Sequence, residues 1–466
     1  MFNSFEVSRR RKSDGASPQT ALLESRQLLA AVQVVTTPGP NGSVSLDITG
    51  SEAEDWIKLS QGPDFQVHLT DDFGTGTTFI LNGGSPVSEV TFAAIHNIRL
   101  RLGEGNDSAR LIDLNAGNIA IEDGFADQEL NYYDLTNQYR DSRLGDITAN
   151  FLRGHNYLNI SSSNPGVGVW GANSMNVRKV TVNSKAQTSF SAGAFGQAEL
   201  VVNGVVTLNG IGNRTQELRT GFSADSENAS VRLLGGVKYQ STSGNSTLTL
   251  SGDIQVFGNL DFLTGADDDR LYVGGDVTIS GQVKMNTGAG TDSFVVSRGT
   301  SVFSQNVSLD LGDGLDYVSI EPANAWFRKN LNIDTGKHKD SVFMRNVTVS
   351  GDLSVDLGGL QPGSTQGEYF LLAHFEIQKN FSLVSSGLAT AYILFNEYWT
   401  GIDAPAIFRG TVSMSIGAGA IRVRDVTMQK TQTFRGTNER IQVEYQNVTA
   451  DLSRRRLINA TAAVLP

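Results

Sequence analysis

The sequence predicts an all-β fold, a right-handed parallel β-helix (β-solenoid) with rungs of about 24 residues, and three observations support this prediction. From about residue 35 onward, apolar residues alternate with polar ones in short runs, as at residues 277–279. The 50 Gly and 10 Pro residues show no collagen-like period, so they indicate frequent turns between short strands. A unit of fixed length also recurs in the middle of the chain.

This unit reads Asn, apolar, any, apolar, any, Thr or Leu, Gly, three residues, then Asp. Its copies contain Asn259, Gly265 and Asp269; Gln282, Gly288 and Asp292; Asn306, Gly312 and Asp316; Asn330, Gly336 and Asp340; and, far upstream, Asn97, Gly103 and Asp107. The successive spacings of the aspartates from Asp269 to Asp340 are 23, 24 and 24. A fixed period of strands without helices is typical of a solenoid, in which stacked units share one core. An array of antiparallel β-sandwich domains is the alternative, with turns about every 8–12 residues.

The repeated Gly and Asn residues are predicted to form the corners of each rung. Glycine adopts positive φ without steric cost, as a tight corner requires. Asparagine can adopt the same left-handed conformation and can stack into a hydrogen-bonded ladder.

Three segments are predicted along the chain: a disordered basic export segment at 1–34, the solenoid at 35–400, and a C-terminal β cap and tail at 401–466. The Gly- and Pro-rich stretch 359–364 interrupts the repeat, and residues 125–260 keep strand texture without strict register. The aromatic-rich stretch 392–399 suggests a cover for the last apolar rung, since a solenoid must protect its ends.

Composition excludes several classes of function. The 37 Lys and Arg against 48 Asp and Glu give a net charge of −11, which argues against a nucleic-acid partner. With no cysteine, the chain has no disulfide, thiolate nucleophile or Cys-ligated metal, and it fits either export or the cytosol. No apolar run approaches the roughly 18 residues that a membrane-spanning helix needs.

The turns at residues 103–107, 288–292 and 312–316 resemble single copies of the Gly-x-Gly-x-Asp core of hemolysin-type calcium repeats. This resemblance implies calcium as a cofactor, held by carboxylate and carbonyl oxygens. The candidate ligands are Asp107, Asp267, Asp269, Asp292, Asp313 and Asp316. The other interpretation is that these aspartates hydrogen-bond the backbone of their own turns, since tandem nonapeptides are missing and two lysines occupy the turn before Asp340.

The first residues suggest a cellular location. A basic cluster at 9–12 is followed by Leu-Leu-Glu-Ser-Arg-Gln-Leu-Leu-Ala at 22–30, which physical reasoning alone assigns to a disordered tail or a short amphipathic helix. This layout resembles the N-terminal LEPR-x-LL segment of exported and cell-surface proteins of planctomycete bacteria, with Ser25 at the usual proline. The resemblance covers under a tenth of the chain and implies an extracellular or surface location, not an activity.

No catalytic residues are predicted. The histidines are isolated, and no HExxH, GxSxG or P-loop motif occurs. We therefore expect a non-enzymatic structural or adhesive protein whose partners are surface polysaccharides or other surface proteins. The alternatives are a calcium-stabilised module and a polysaccharide lyase or hydrolase, whose acids would come from Asp267, Asp268, Asp313 and Asp316. Tyr317, Trp326 and Asn330 are candidates for one glycan-binding face, with core packing as the other interpretation of the aromatics.

Overall fold

A computed structural model describes residues 31–123, 130–164, 173–210, 218–225, 228–359, 367–394, 406–437, 441–446, 448–450 and 452–465. Within these ranges the chain is all-β, and its helical turns are two short 3-10 helices at Pro40–Gly42 and Leu452–Arg454. The predicted all-β class is thereby confirmed.

The N-terminal two-fifths of the chain contains strands β1 to β16. They are β1 (Ala31–Pro38), β2 (Val44–Thr49), β3 (Trp56–Gln61), β4 (Val67–Asp71), β5 (Thr78–Leu81), β6 (Pro86–Val87), β7 (Glu89–Phe92), β8 (Ile95–Arg101), β9 (Ser108–Ile112), β10 (Asn115–Ala116), β11 (Ile119–Asp123), β12 (Leu130–Asn137), β13 (Ser142–Phe151), β14 (His155–Ser163), β15 (Asn173–Ser184) and β16 (Gln187–Phe195).

The middle of the chain contains strands β17 to β32, most of them three to five residues long. They are β17 (Ala198–Val202), β18 (Val206–Gly210), β19 (Leu218–Ala224), β20 (Ser230–Leu233), β21 (Val237–Ser241), β22 (Ser246–Ser251), β23 (Ile254–Val256), β24 (Leu260–Leu263), β25 (Arg270–Gly274), β26 (Val277–Ile279), β27 (Val283–Asn286), β28 (Ala289–Gly290), β29 (Ser293–Ser297), β30 (Thr300–Phe303), β31 (Val307–Asp310) and β32 (Asp313–Gly314).

Strands β33 to β47 complete the chain, and several of them are long enough to run through a corner. They are β33 (Tyr317–Glu321), β34 (Asn324–Phe327), β35 (Leu331–Asp334), β36 (Ser341–Val349), β37 (Leu353–Asp356), β38 (Glu368–Ile377), β39 (Phe381–Leu394), β40 (Ile407–Phe408), β41 (Val412–Arg424), β42 (Thr427–Met428), β43 (Gln432–Gly436), β44 (Ile441–Gln446), β45 (Thr449–Ala450), β46 (Arg455–Ile458) and β47 (Ala460–Leu465).

Parallel pairing organises these strands into three ladders that follow the chain. The first ladder includes β22, β25, β29, β33 and β36; the second includes β23, β26, β30, β34 and β36; the third includes β24, β27, β31, β35 and β37. In the first ladder Leu271 pairs with Phe294, and Phe294 pairs in turn with Val318. This long sheet is compatible with a β-solenoid.

The N-terminal strands add antiparallel pairs to the sheet, which is therefore mixed. Strand β1 pairs antiparallel with β2, β3 with β4, β4 with β7, and β5 with β6. The sequence did not predict these pairs, because a short alternating strand has the same pattern in either orientation.

The apolar side chains of the ladders point inward and form one continuous core. In the first ladder Leu248, Leu271, Phe294, Val318 and Val342 lie in register and are fully buried. Burial alternates along each strand, as expected when successive side chains face opposite sides of a sheet.

Glycine is required at the corner before β29 and its counterparts. Gly288 and Gly312 have φ of +88° and +89°, and a Cβ on Gly312 would lie 1.8 Å from the carbonyl oxygen of Gly288. The corner therefore needs glycine both for its backbone conformation and for the close approach of successive rungs.

The opposite corner carries the predicted ladder of amide side chains. Asn259 Oδ1 accepts from the backbone N–H of Gln282 at 3.0 Å, and Asn330 Oδ1 accepts from that of Asp352 at 3.0 Å. The expected left-handed backbone is wrong here, because neither Asn259, Asn306 nor Asn330 has positive φ. These side chains nevertheless bond to the next rung, as the acceptance of the Asn330 N–H by Asn306 Oδ1 also shows.

Several predicted features lie outside the described residues, including residues 1–30, most of the insert at 359–364 and most of the aromatic stretch at 392–399. Strand β1 begins at Ala31, inside the predicted N-terminal segment. Strands β40 to β47, in the predicted cap, continue the parallel pairing of the ladders. In the part of the chain that the structure describes, no helix is long and apolar enough to cross a membrane.

Candidate functional site

The repeated aspartates occupy one position, the residue just before each strand of the first ladder. We call this the carboxylate column, and it contains Asp55, Asp107, Asp269, Asp292, Asp316, Asp340 and Glu368, each at most 2% exposed. Between Asp107 and Asp269 the same position holds the uncharged residues Asn131, Asn156, Thr188, Leu218 and Ser246. The four polar residues among them are also buried.

Five of the six column aspartates tie their own rung to the preceding one, whereas Asp55 accepts from the backbone N–H of Ser51 in its own turn. Asp292 Oδ1 accepts from the backbone N–H of Asp269, and Asp316 Oδ1 from that of Asp292, both at 2.8 Å. Asp340 Oδ1 accepts from the N–H of Asp316 at 2.9 Å, and Asp107 Oδ1 from that of Asp55 at 2.8 Å. The bond therefore links neighbouring rungs, whereas the sequence interpretation placed it within the aspartate's own turn.

The second carboxyl oxygen, Oδ2, takes no part in these bonds between rungs. In Asp269, Asp292, Asp316 and Asp340 it is buried and forms no hydrogen bond within the described residues. An ionised carboxylate in such a place has few partners that would stabilise its charge. The hydroxyls of Thr264, Thr287 and Thr335 partly do so, because they lower the pKa of Asp269, Asp292 and Asp340, respectively.

Burial accordingly disfavours the charged form of these acids. It raises the pKa of Asp269 and Asp316 to about 8, and the pKa of Asp292 and Asp340 to about 6. Burial also raises the pKa of Glu368, at the end of the column, to about 7. The backbone N–H bonds to the aspartates partly oppose these shifts.

The charged groups around the column are mostly acidic. Asp268 raises the pKa of Asp292, Asp313 raises that of Asp316, and Asp334 raises that of Asp340. His338 is the cationic group that lowers the pKa of Asp340. The column is therefore a file of acids with little positive charge nearby, and each acid is a neutral acceptor at any pH below its raised pKa.

The remaining calcium candidates lie on the surface near the same corner. Asp267 is half-buried and its Oδ2 accepts from the N–H of Gly244 at 2.9 Å. Asp268 Oδ1 accepts from the N–H of Thr291 at 2.8 Å. Asp313 is exposed and forms an ion pair with Lys337, whose Nζ lies 3.2 Å from Oδ2.

The six calcium candidates thus divide into the buried Asp107, Asp269, Asp292 and Asp316 and the more accessible Asp267 and Asp313. No group of three or more His, Asp or Glu side chains in the described ranges is arranged to hold a metal ion. Calcium binding stays a prediction, and the column's Oδ1 atoms already accept backbone hydrogen bonds.

A second acidic row, which the sequence analysis missed, lies on the outer face of the third ladder. Asp310, Asp334 and Asp356 are directly in register on β31, β35 and β37. Partial burial raises the pKa of Asp334, and the charges of Asp356 and Asp310 raise it further. Their positions follow the repeat, but only the register shows that they share one face.

The predicted glycan-binding residues do not share a face. Tyr317 lies on the first ladder and is 38% exposed, whereas Trp326 lies on the second and is 43% exposed. Asn330 precedes the third ladder and belongs to the amide ladder. The interpretation that Tyr317 and Trp326 pack in the core is therefore wrong. The prediction that these two residues and Asn330 share one face is also wrong.

Tyr317 instead has aromatic neighbours along the first ladder, namely Phe343, Tyr369 and Tyr392. Sequence reasoning missed this group because its members occupy two different columns and the insert at 359–364 interrupts the period between Phe343 and Tyr369.

Comparison of the chain with protein-family models, curated proteins and solved structures gives no match. The function is therefore argued from the geometry of the chain itself.

Proposed function

We propose that this protein is a non-enzymatic scaffold that acts as a structural or adhesive component at the cell surface. Its fold in this proposal is a right-handed parallel β-helix with rungs of the predicted length. The hydrogen bond from Asp269 to Asp292 spans 23 residues and that from Asp292 to Asp316 spans 24 residues, which supports the rung length. The right hand is supported by the strong preference of parallel crossover connections for that hand.

The observation that carries this proposal is the use of the repeated acids. Four of the candidates that the sequence offers are buried and accept backbone hydrogen bonds between rungs, as Asp316 does for Asp292. The more accessible Asp267 and Asp268 accept from the N–H groups of Gly244 and Thr291, and Asp313 pairs with Lys337. A residue that is buried and holds two rungs together is poorly placed to contact a substrate. That many polysaccharide lyases are also β-helices is not, by itself, evidence that this chain is an enzyme.

The surface location rests on the N-terminal resemblance to planctomycete exported proteins. We propose that residues 1–34 direct export and that the solenoid remains outside the cell. A long regular scaffold without cysteine needs no oxidative folding step, which suits this role.

The experiment is surface shaving of intact cells of the source organism, with antibody against the full chain. We expect the protein in the envelope or secreted fraction, and protease added to intact cells should remove it. Recovery in the cytosolic fraction, protected from protease, would contradict the surface role.

Enzymatic activity is tested separately with the purified full chain and polysaccharides. We expect no release of reducing ends or unsaturated uronic acids. Product release at a rate above that of a heat-inactivated sample would overturn the scaffold proposal.

A further inference from the structure

The outer face of the first ladder carries a continuous band of aromatic side chains. Tyr317, Phe343, Tyr369 and Tyr392 lie on successive rungs, with ring centroids 5.6, 5.1 and 5.4 Å apart. Tyr317 is 38% exposed and the other three are half-buried. We call these four residues the aromatic band.

The rings of the band are tilted against each other by 48°, 32° and 36°. Phe303 and Phe327 in the core are instead stacked at 4°, with each ring covering the face of the other. A tilted arrangement leaves part of each ring face uncovered, so the band offers aromatic surface to a ligand that approaches from solvent.

A polar cleft continues the band at its C-terminal end. Tyr392, Arg422 and Glu444 are in register on successive strands, and together with Arg424 and Gln446 they line a cavity of about 240 Å³. Arg422 stacks over Tyr392 at 5.2 Å and donates to its hydroxyl at 2.6 Å. Arg422 Nε also donates to Glu444 Oε2 at 2.9 Å.

We propose that the aromatic band and this cleft bind an uncharged polysaccharide chain, which would give the scaffold its adhesive partner. The inference rests on the proposed surface function and names the ligand class. The C–H faces of sugar rings pack on aromatic surface, and sugar hydroxyls need paired donors and acceptors.

The charges of the cleft favour a neutral ligand. Arg422 is already paired with Glu444, and the Glu444 carboxylate also accepts from Gln442 at 2.9 Å. An acidic glycan would meet this carboxylate, whereas the hydroxyl groups of a neutral sugar can bond to both partners of the pair. The charged Arg422 and Glu444 side chains, 44% and 20% exposed, are also unlike the dry centre of a protein interface, which is depleted in charge.

The repeat of the scaffold suits an extended polymer. Successive strands of a sheet lie about 4.8 Å apart, a spacing close to the length of one residue in an extended β-linked glycan. Sugar residues of such a chain can therefore meet one aromatic rung after another without a change of direction.

The test is affinity electrophoresis and pull-down of the full chain with four probes: cellulose, chitin, soluble mixed-linkage β-glucan and the acidic polymer alginate. The double variant Tyr369→Ala/Tyr392→Ala removes the centre of the band and its contact with the cleft. Trp326→Ala is the control, because it removes an exposed aromatic side chain from the second ladder, outside the band. Circular dichroism confirms that each variant keeps a β spectrum.

We expect the wild type to bind at least one uncharged probe, the double variant to lose at least tenfold in affinity, and Trp326→Ala to stay within twofold. A second variant, Glu444→Gln, should weaken binding several-fold without loss of fold. Absence of binding to all three uncharged probes, tighter binding to alginate, or equal loss in Trp326→Ala would overturn the inference.

These outcomes are separable from the surface function itself. If the protein is shaved from intact cells but binds no uncharged glycan, only the proposal that the aromatic band binds glycan is contradicted. A protein recovered in the cytosol that binds glycan contradicts the surface function and leaves the band in place.

Discussion

Asp292 shows how one side chain connects two rungs. Its Oδ1 accepts the Asp269 N–H, and its own N–H is bonded to Asp316. Asn131 occupies the same column nearer the N-terminus, and its Oδ1 accepts from the Asp107 N–H at 3.0 Å, so this position works with a neutral amide as well as with an acid. The hydrogen-bond acceptor matters there, and the negative charge does not.

Two substitutions of Asp292 should therefore have different effects. Asp292→Asn keeps an acceptor oxygen, so we expect the free energy of unfolding at pH 8 to stay equal to that of the wild type or to rise. Asp292→Ala leaves the buried Asp269 N–H without an acceptor and should cost about 1–3 kcal/mol. Urea denaturation measures both. Asp313→Ala, at an exposed ion pair, is the control and should change stability by less than about 1 kcal/mol.

One outcome of this experiment would contradict the claim that Asp292 is needed only as a hydrogen-bond acceptor. If Asp292→Asn were as destabilising as Asp292→Ala, the carboxylate charge itself would be required, as a bound cation would demand.

Gly312 gives a second prediction at the scale of the residue. Gly312→Ala places a Cβ at φ +89° and 1.8 Å from the Gly288 carbonyl oxygen, so we expect a loss of roughly 2–5 kcal/mol or failure to fold. Gly221→Ala is the matched control, since its Cβ would meet no described atom within 4 Å. Thermal unfolding should show little change for Gly221→Ala, and a large loss there would count against steric crowding as the cause.

At the scale of the element, the outward face of the third ladder carries two different rows of charge. The third ladder stacks Asp310, Asp334 and Asp356, which repel one another, but it also places Asp261 between Lys238 and Lys284. Neighbouring strands thus carry both unfavourable and favourable rows of charge.

This contrast predicts opposite signs for two charge-neutralising substitutions. Asp334→Asn should raise the free energy of unfolding by on the order of 0.5 kcal/mol, whereas Asp261→Asn should lower it by a similar amount. Urea denaturation in low salt measures both effects, and about 1 M salt should reduce them. A loss of stability in Asp334→Asn would show that the row holds a cation or another positive partner.

The sequence was sufficient to predict short strands and their corner residues, because Gly288 and Asn259 recur at fixed positions. It was not sufficient to predict which strands share a face. Tyr317 and Trp326 are close together in the printed sequence, yet a corner between β33 and β34 puts them on different ladders. The direction in which the chain turns at that corner depends on how the strands pack, and no local sequence pattern indicates it.

At the scale of the whole molecule, the period is visible only where the rungs have constant length. The hydrogen bond between Asn159 and Ser191 joins rungs across 32 residues, and that between Asp352 and Asn380 joins them across 28 residues. Because the number of residues per rung varies in these regions, the repeat is not visible in the sequence. The burial of the aspartates was also beyond prediction, since a residue between a turn and a strand can face either side.

The column makes the stability of the whole fold depend on pH. Its acids have folded-state pKa values raised from 3.8 to about 6 or about 8 by burial, so the unfolded chain loses its protons first as pH rises. Stability is therefore fully present below about pH 4 with respect to these groups and is lost between about pH 4 and pH 8. We expect a Tm at pH 5 several degrees above that at pH 8.5, measured by circular dichroism.

A variant checks the origin of this pH dependence. Asp292→Asn/Asp316→Asn should flatten the decline between pH 5 and 8.5, because two of the groups no longer titrate. An unchanged decline would assign the pH dependence to other residues.

The repeated aspartates, in our central claim, serve the fold as acceptors between rungs and do not need calcium. The most direct measurement is thermal unfolding of the full chain by circular dichroism at pH 7, in millimolar calcium and in excess chelator. We predict a β spectrum in both samples and the same Tm within about one degree. A Tm several degrees higher in calcium, abolished by Asp292→Asn/Asp316→Asn, would contradict this claim and identify the column as a calcium site.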